Sequence, residues 1–178
     1  LSTYLALPRT GHLEQAYHIF GYLKANPRKT LAFDPRHPKI DERRFATADW
    51  QEFYRYAEEA RSPTEPPPRG ESVSTHCFVD ADHAGNKVTR RSQSGILLFV
   101  NRAPIIWYSK RQNSVEDATF GSEFVALRQA KNMIVVLRYK LRSFGVEIDG
   151  PTNVFCDNEA VTKNVHMPES TLNKKSLS

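Results

Sequence analysis

The sequence predicts a mixed α/β fold with a small helical segment ahead of it. Three observations carry this. Three apolar runs separated by short polar connections lie between residues 74 and 108, the pattern of paired strands. A long amphipathic stretch and a fourth apolar run follow, and a strand–helix–strand step requires a crossover within a mixed sheet. Upstream, residues 12–25 carry helix-like periodicity, residues 50–60 read as a second helix, and a proline-dense stretch follows.

The elements are justified in chain order. Leu13, Ala16, Tyr17, Phe20 and Leu23 recur at three- and four-residue spacing, so residues 12–25 are predicted helical until Asn26-Pro27. Leu31-Ala32-Phe33 is a short strand candidate, broken by Pro35 and Pro38. Residues 50–60 are predicted as a second helix anchored by Phe53, Tyr54 and Tyr56. Residues 61–72 hold Pro63, Pro66, Pro67, Pro68 and Gly70, which read as a stiff connector and a boundary. Residues 74–80 are the first strand of the main domain, and Gly85-Asn86 opens a basic turn. Residues 95–100 and 105–108 are strands joined through Asn101-Arg102-Ala103-Pro104. Phe120, Phe124, Leu127, Ile134, Leu137, Leu141 and Phe144 make one long helical stripe, stopped by Gly145. Trp107 and Phe124 are expected in the core. Residues 153–156 are a fourth strand, and residues 159–165 a short helix ended by Pro168.

Composition narrows the class. The 178 residues suffice for one good core, or one domain with part of a second. No apolar run approaches the roughly 20 residues that span a bilayer, so no membrane partner is expected. The opening Leu1-Ser2-Thr3-Tyr4 lacks the features of a signal peptide, and a start without Met with a polar tail is expected of a fragment. Net charge is +5, and residues 86–142 carry eleven Lys/Arg against Glu116, Asp117 and Glu123, a local excess of +8. Such a field suits a polyanion, and equally a solvated basic surface. Cys77 and Cys156 form no zinc spacing and no disulfide framework, in keeping with a reducing compartment.

Three carboxylates stand in informative positions. Asp80 closes the first strand of the domain and Asp157 closes the fourth, where ligands bind to α/β sheets. Glu123 lies early in the long helix, at the edge of its apolar stripe. Carboxylates converging on one crevice repel each other, and a divalent cation with hard oxygen ligands relieves that repulsion. Taken singly, each has a plainer reading: a cap or turn for the aspartates, a helix-dipole charge for the glutamate. The joint pattern favours a metal site. Cys77 and Cys156 sit at odd offsets from Asp80 and Asp157, so both thiols are expected to point away from the carboxylates, into the core.

Phe78-Val79-Asp80-Ala81-Asp82-His83-Ala84-Gly85 and Arg90-Arg91-Ser92-Gln93-Ser94-Gly95 resemble the start of the ribonuclease H domain of copia-type retrotransposon polyproteins. So do Ile106-Trp107-Tyr108-Ser109-Lys110-Arg111-Gln112, Ser122-Glu123-Phe124-Val125-Ala126-Leu127 and Phe155-Cys156-Asp157-Asn158. His12-Leu13-Glu14 through Gly21-Tyr22-Leu23-Lys24 resembles the end of the reverse transcriptase region of such polyproteins. The resemblance implies a ribonuclease H-like sheet with flanking helices over residues 73–178, a linker at 61–72 and the end of the polymerase or connection region at 1–60. It implies cleavage of the RNA strand of RNA–DNA hybrids, with Asp80, Glu123 and Asp157 holding two Mg²⁺ ions, or Mn²⁺ in their place. Ser122 and Asn158 are the implied hybrid contacts, and the basic Lys87, Arg90 and Arg91 are candidates for phosphate contact or, equally, for a solvated turn. The polymerase region is the implied partner, and a cytoplasmic particle, or the nucleus, the implied location.

The family carries a further acidic residue after another strand, so the domain is expected to be C-terminally incomplete. A remnant that only binds nucleic acid is the alternative. A third reading makes residues 1–60 a docking segment for the polymerase.

Overall fold

The structure, a computed structural model, describes residues 7–41, 43, 45, 52, 55, 59 and 61–167. The chain divides into two compact units, Leu1–Ala32 and Phe33–Ser178. The helix predicted at 50–60, with Phe53, Tyr54 and Tyr56, lies outside the described residues except for Glu52, Arg55 and Glu59, as does Pro168.

The described part of the first unit is built around α1 (Thr10–Ala25). At its start, the Arg9 backbone N–H donates to His12 Nδ1 at 3.1 Å. Its predicted apolar stripe, Leu13, Tyr17, Phe20 and Leu23, is exposed.

The second unit contains β1 (Thr75–Asp82), β2 (Gln93–Val100), β3 (Ala103–Arg111), α2 (Thr119–Ser143), β4 (Asn153–Cys156) and α3 (Glu159–Val165). The sheet order is β3-β2-β1-β4. The first two pairings are antiparallel, and β1 pairs β4 in parallel through the α2 crossover. This arrangement agrees with the ribonuclease H-like mixed α/β fold expected from the sequence. Leu31-Ala32-Phe33 forms no strand, and Leu31 and Phe33 are exposed. Three residues hemmed by Pro27 and Pro35 offer too few backbone groups for a ladder.

The core lies between one face of the sheet and α2. Cys77, Val79 and Ala81 of β1 and Ile96 and Leu98 of β2 meet Ala126, Ala130, Ile134 and Leu137 of α2. The predicted stripe is therefore rotated. Ala126 and Ala130 are fully buried, letting the helix approach closely, whereas Phe144 is 79% exposed. Phe120 and Phe124 are half-buried and stack on each other at 5.9 Å. Trp107, expected in the core, is 67% exposed because its β3 position faces away from α2. Val146 N–H donates to Leu141 O and Gly145 N–H to Arg142 O, with Gly145 at φ +73, a Schellman stop.

On the sheet's other face, Phe78 stacks on Phe155 at 4.7 Å and His76 on Phe99 at 4.6 Å. At the β2–β3 turn, Pro104 pairs Phe99 while Ile106 pairs Leu98, leaving Ile105 as an extra residue. Proline lacks the N–H that a regular ladder would use there.

Asn101 pins this turn. Its Oδ1 accepts from Ser74 N at 2.9 Å and Ser74 Oγ at 3.2 Å, and its Nδ2 donates to Pro35 O at 2.7 Å. It is buried with φ +53, a conformation that asparagine tolerates and β-carbon-bearing apolar residues resist. Arg102 adds an ion pair to Asp34 at 3.0 Å. Asn101→Ala is expected to destabilise the unit by about 3 kcal/mol, and Asn101→Gly by less because it keeps the turn. Urea unfolding measures both; wild-type stability in Asn101→Ala would show that the pin contributes nothing.

Candidate metal centre at the ends of β1 and β4

The parallel register brings two aspartates together. His76 pairs Asn153, and the ladder ends where Val79 pairs Cys156. The next residues on the two strands are Asp80 and Asp157, so both carboxylates leave neighbouring strands at the same level. Both are exposed. On its other side Asp80 pairs with Gly95, which has no side chain to crowd it. Asp80 and Asp157 line one groove on the open face of the sheet, with Phe78, Trp107, Cys156 and His166.

Glu123 comes from the opposite face, on α2. It lies in helical register with Ala126, Ala130, Ile134 and Leu137, so it is a member of the buried stripe and not, as expected, at its edge. Only 4% of it is exposed. Opposite Ala81 the β4 strand has already ended, and the Ala81 N–H donates to the Glu123 carboxylate. Its Oε2 is buried without a hydrogen-bond partner. Burial pushes the Glu123 carboxyl up to about 7; the charges of Asp80 and Asp157 push the same way, and the Ala81 hydrogen bond opposes them.

Among the described residues, the ligand atoms of Glu123, Cys156 and Asp157 lie within 4.8 Å of one another. Asp80 is not in this group, but its charge acts on Glu123. The thiol expectation holds in one respect. Cys77 is buried in the core cluster and Cys156 packs on it from the neighbouring strand. It fails in the other, because Glu123 descends from that same side and meets Cys156. The parity of a strand says nothing about a carboxylate delivered by a helix. Both cysteines are free; burial pushes the Cys77 thiol up to about 12 and also raises that of Cys156.

Gln112 ties this corner together, a residue the carboxylate pattern gave no reason to single out. It is 1% exposed, and its Nε2 donates to Ser94 Oγ at 3.0 Å and to Ser122 O at 2.8 Å. It thereby joins the end of β3 and the start of β2 to the residue before Glu123. Ser122 is fully buried and donates its hydroxyl to Thr119 O at 2.8 Å within the helix. Asn158 caps α3, its Oδ1 accepting from Val161 N at 3.1 Å. Lys87 and Arg90 are exposed and Arg91 half-buried on the β1–β2 turn, where Asn86 and Arg90 are bonded backbone to backbone at 2.7 Å.

A buried carboxylate with an unpartnered oxygen, near enough to Asp80 and Asp157 to feel both charges, suits a hard divalent cation: the ion would partner Oε2 and offset the repulsion. The donor set at Asp80, Glu123 and Asp157 therefore fits Mg²⁺ or Mn²⁺.

Comparison with known proteins finds partial similarity to two mobile-element polyproteins and to an effector protein. Over 94 residues, 53% of this chain and 6% of the relative, it is 28% identical to the Retrovirus-related Pol polyprotein from transposon RE1 of Arabidopsis thaliana. The corresponding figure is 27% for the Retrovirus-related Pol polyprotein from transposon RE2 of the same plant, with the same coverage. Over 65 residues, 36% of this chain and 46% of the relative, it is 37% identical to Secreted RxLR effector protein 161 of Plasmopara viticola. The matched region thus spans a small part of either polyprotein. No family model and no solved structure matches. The Pol relatives support a retrotransposon polyprotein origin for the chain, as its motifs imply.

The raised Glu123 carboxyl makes stability depend on pH in a definite direction. The folded chain holds this proton up to about 7, whereas the unfolded chain releases it near the ordinary 4.5. The contribution is full below 4.5 and is lost as pH rises through about 7. In the presence of a chelator, Glu123→Gln is expected to stabilise the chain at pH 8 by on the order of 2 kcal/mol and to leave it unchanged at pH 4. Denaturant unfolding at the two pH values checks this; equal effects at both would remove the carboxyl as the cause.

Proposed function

We propose that the second unit acts as the ribonuclease H region of a retrotransposon Pol polyprotein, hydrolysing the RNA strand of RNA–DNA hybrids during reverse transcription. The observation that carries the reading is Glu123, buried with a partnerless oxygen beside two aspartates at adjacent parallel strand ends. The Pol relatives support the polyprotein origin that this reading presupposes.

Asp80, Glu123 and Asp157 would hold Mg²⁺ or Mn²⁺. Bound ions would activate water and stabilise the charge on the attacking and leaving oxygens of the phosphodiester. The chain's own part is positional. Glu123 is fixed by the core and by the Ala81 N–H, while Asp80 and Asp157 stay open to the groove. Lys87, Arg90 and Arg91 offer cations for backbone phosphates without sequence preference. Asn158, beside Asp157, fixes the chain direction after β4 by capping α3. The polymerase region of the same polyprotein is the proposed partner, and a cytoplasmic particle, with the nucleus as the second compartment, the proposed setting.

One observation favours a second reading. Asp80 lies outside the closest ligand group, and the described residues bring no fourth carboxylate to it. On that reading the unit binds hybrids and does not cut them.

A hybrid with a labelled RNA strand, incubated with the chain and Mg²⁺ or Mn²⁺, tests both. Cleavage is expected, falling about a hundredfold or more in Asp80→Asn, since a few kcal/mol of transition-state stabilisation is lost. Cleavage indifferent to Asp80→Asn overturns the assignment. Salt-dependent hybrid binding without turnover selects the second reading.

A further inference from the structure

The carboxylate cluster contains a group that hybrid cleavage does not need. Cys156 Sγ is one of three ligand atoms lying within 4.8 Å of one another, with Glu123 and Asp157. Its residue is half-buried, packs against the core cluster and is among those lining the groove with Asp157 and His166. Independently, the Glu123 Oε2, on a side chain 4% exposed, lacks any partner. That atom requires a donor or a cation, and it belongs to the carboxylate that lies within 4.8 Å of the thiol.

We propose that Cys156 is a metal ligand, and that a thiophilic divalent cation, Zn²⁺ or Cd²⁺, is held by Glu123, Cys156 and Asp157. The inference rests on reading the carboxylates as a divalent-cation site and adds a second binding mode to it. Zinc takes thiolate sulfur at about 2.3 Å and carboxylate oxygen at roughly 2.0–2.2 Å, so tetrahedral ligands stand roughly 3.5 Å apart. The observed spread closes to that value by about 1 Å of side-chain movement. Three protein ligands leave the fourth position to water.

Binding involves no redox change. The thiol S–H bond breaks, the sulfur–metal bond forms, and the proton passes to solvent. Mg²⁺, a hard ion, has no use for sulfur and takes Asp80 with the other two carboxylates. Both modes use Glu123 and Asp157, so they exclude each other: the soft cation is a competitive inhibitor of the hard one. Cys77 has no such role. It is fully buried in the core cluster and absent from the ligand group.

The test is a titration of the whole chain with Cd²⁺, following the ultraviolet thiolate-to-cadmium charge-transfer band, alongside Mn²⁺ binding followed by electron paramagnetic resonance. One equivalent of Cd²⁺ is expected to raise the band in the wild type and in Cys77→Ala, and to displace bound Mn²⁺. Cys156→Ser is expected to lose the band and to weaken Cd²⁺ binding by more than the roughly tenfold to hundredfold that loss of a mere supporting partner costs. Should the Cys156 variants not fold, protection of the wild-type Cys156 from maleimide by Cd²⁺, mapped by mass, replaces them. No band in the wild type, a band lost only in Cys77→Ala, Cd²⁺ and Mn²⁺ bound together without displacement, or Cys156 labelled equally with and without Cd²⁺ each overturn the proposal. Mn²⁺ binding without a Cd²⁺ band removes the thiol and leaves the carboxylate reading standing. Absence of both removes the two together.

Discussion

The parallel pairing of β1 with β4, and the point at which it stops, governs the rest of the second unit. A parallel neighbour can be reached only by a crossover, so the pairing obliges the chain to lay α2 across the sheet. The ladder ends at Val79 and Cys156 while β1 runs on to Asp82. That difference in length leaves Asp80 and Asp157 side by side and Ala81 without a partner on the β4 side. The early end of β4 thus leaves two aspartates and an available backbone donor at one corner.

The crossover helix then brings an acid into an apolar seam. Ala126 and Ala130 let α2 approach the sheet closely, and Glu123 follows in the same line one turn earlier. In an ordinary core such a position is apolar, because a buried carboxylate loses its hydration. Here the Ala81 N–H and the gap beyond β4 offset part of that loss, and the remaining oxygen keeps the penalty. At the other end of the same helix Arg138 pairs Glu59 at 2.6 Å, and Arg142 pairs it too. There the buried charges are compensated within the chain, and the Glu59 carboxyl is drawn down to about 2 by its hydrogen bonds to Arg138 and then Arg142. The helix therefore carries arginines paired to a carboxylate at one end and, at the other, a buried carboxylate oxygen without a partner.

Much of this is legible in the residues. Apolar runs bounded by Gly, Asn and Pro mark all four strands, and the period of α2 with its Gly145 stop marks the crossover, because burial and backbone chemistry leave local traces. Asp80 and Asp157 are legible for the same reason, as strand ends. The face of α2 was less so. Alanines at 126 and 130 carry little hydrophobic signal, so the large Phe120, Phe124 and Phe144 drew the stripe sideways and moved Glu123 to its edge. Trp107 misleads in the same way, since strand alternation identifies two faces without saying which one a helix covers. Gln112, Asn101 and the approach of Glu123 to Cys156 depend on contacts between segments distant in sequence, which no local pattern encodes.

The β1–β4 ladder also sets an order of events. The β2–β3 hairpin closes through a two-residue turn, and α2 forms from local contacts, whereas β4 must return to β1 across a separation illustrated by the Thr75–Thr152 side-chain pair, 77 residues apart. Closing a loop of that size carries an entropic penalty before any contact repays it, so such pairings form late. The corner where Asp80, Glu123 and Asp157 meet consequently depends on a long-range pairing and not on any local element. The hairpin and the helix rest on contacts near in sequence, whereas the acids come together only once β4 has docked on β1.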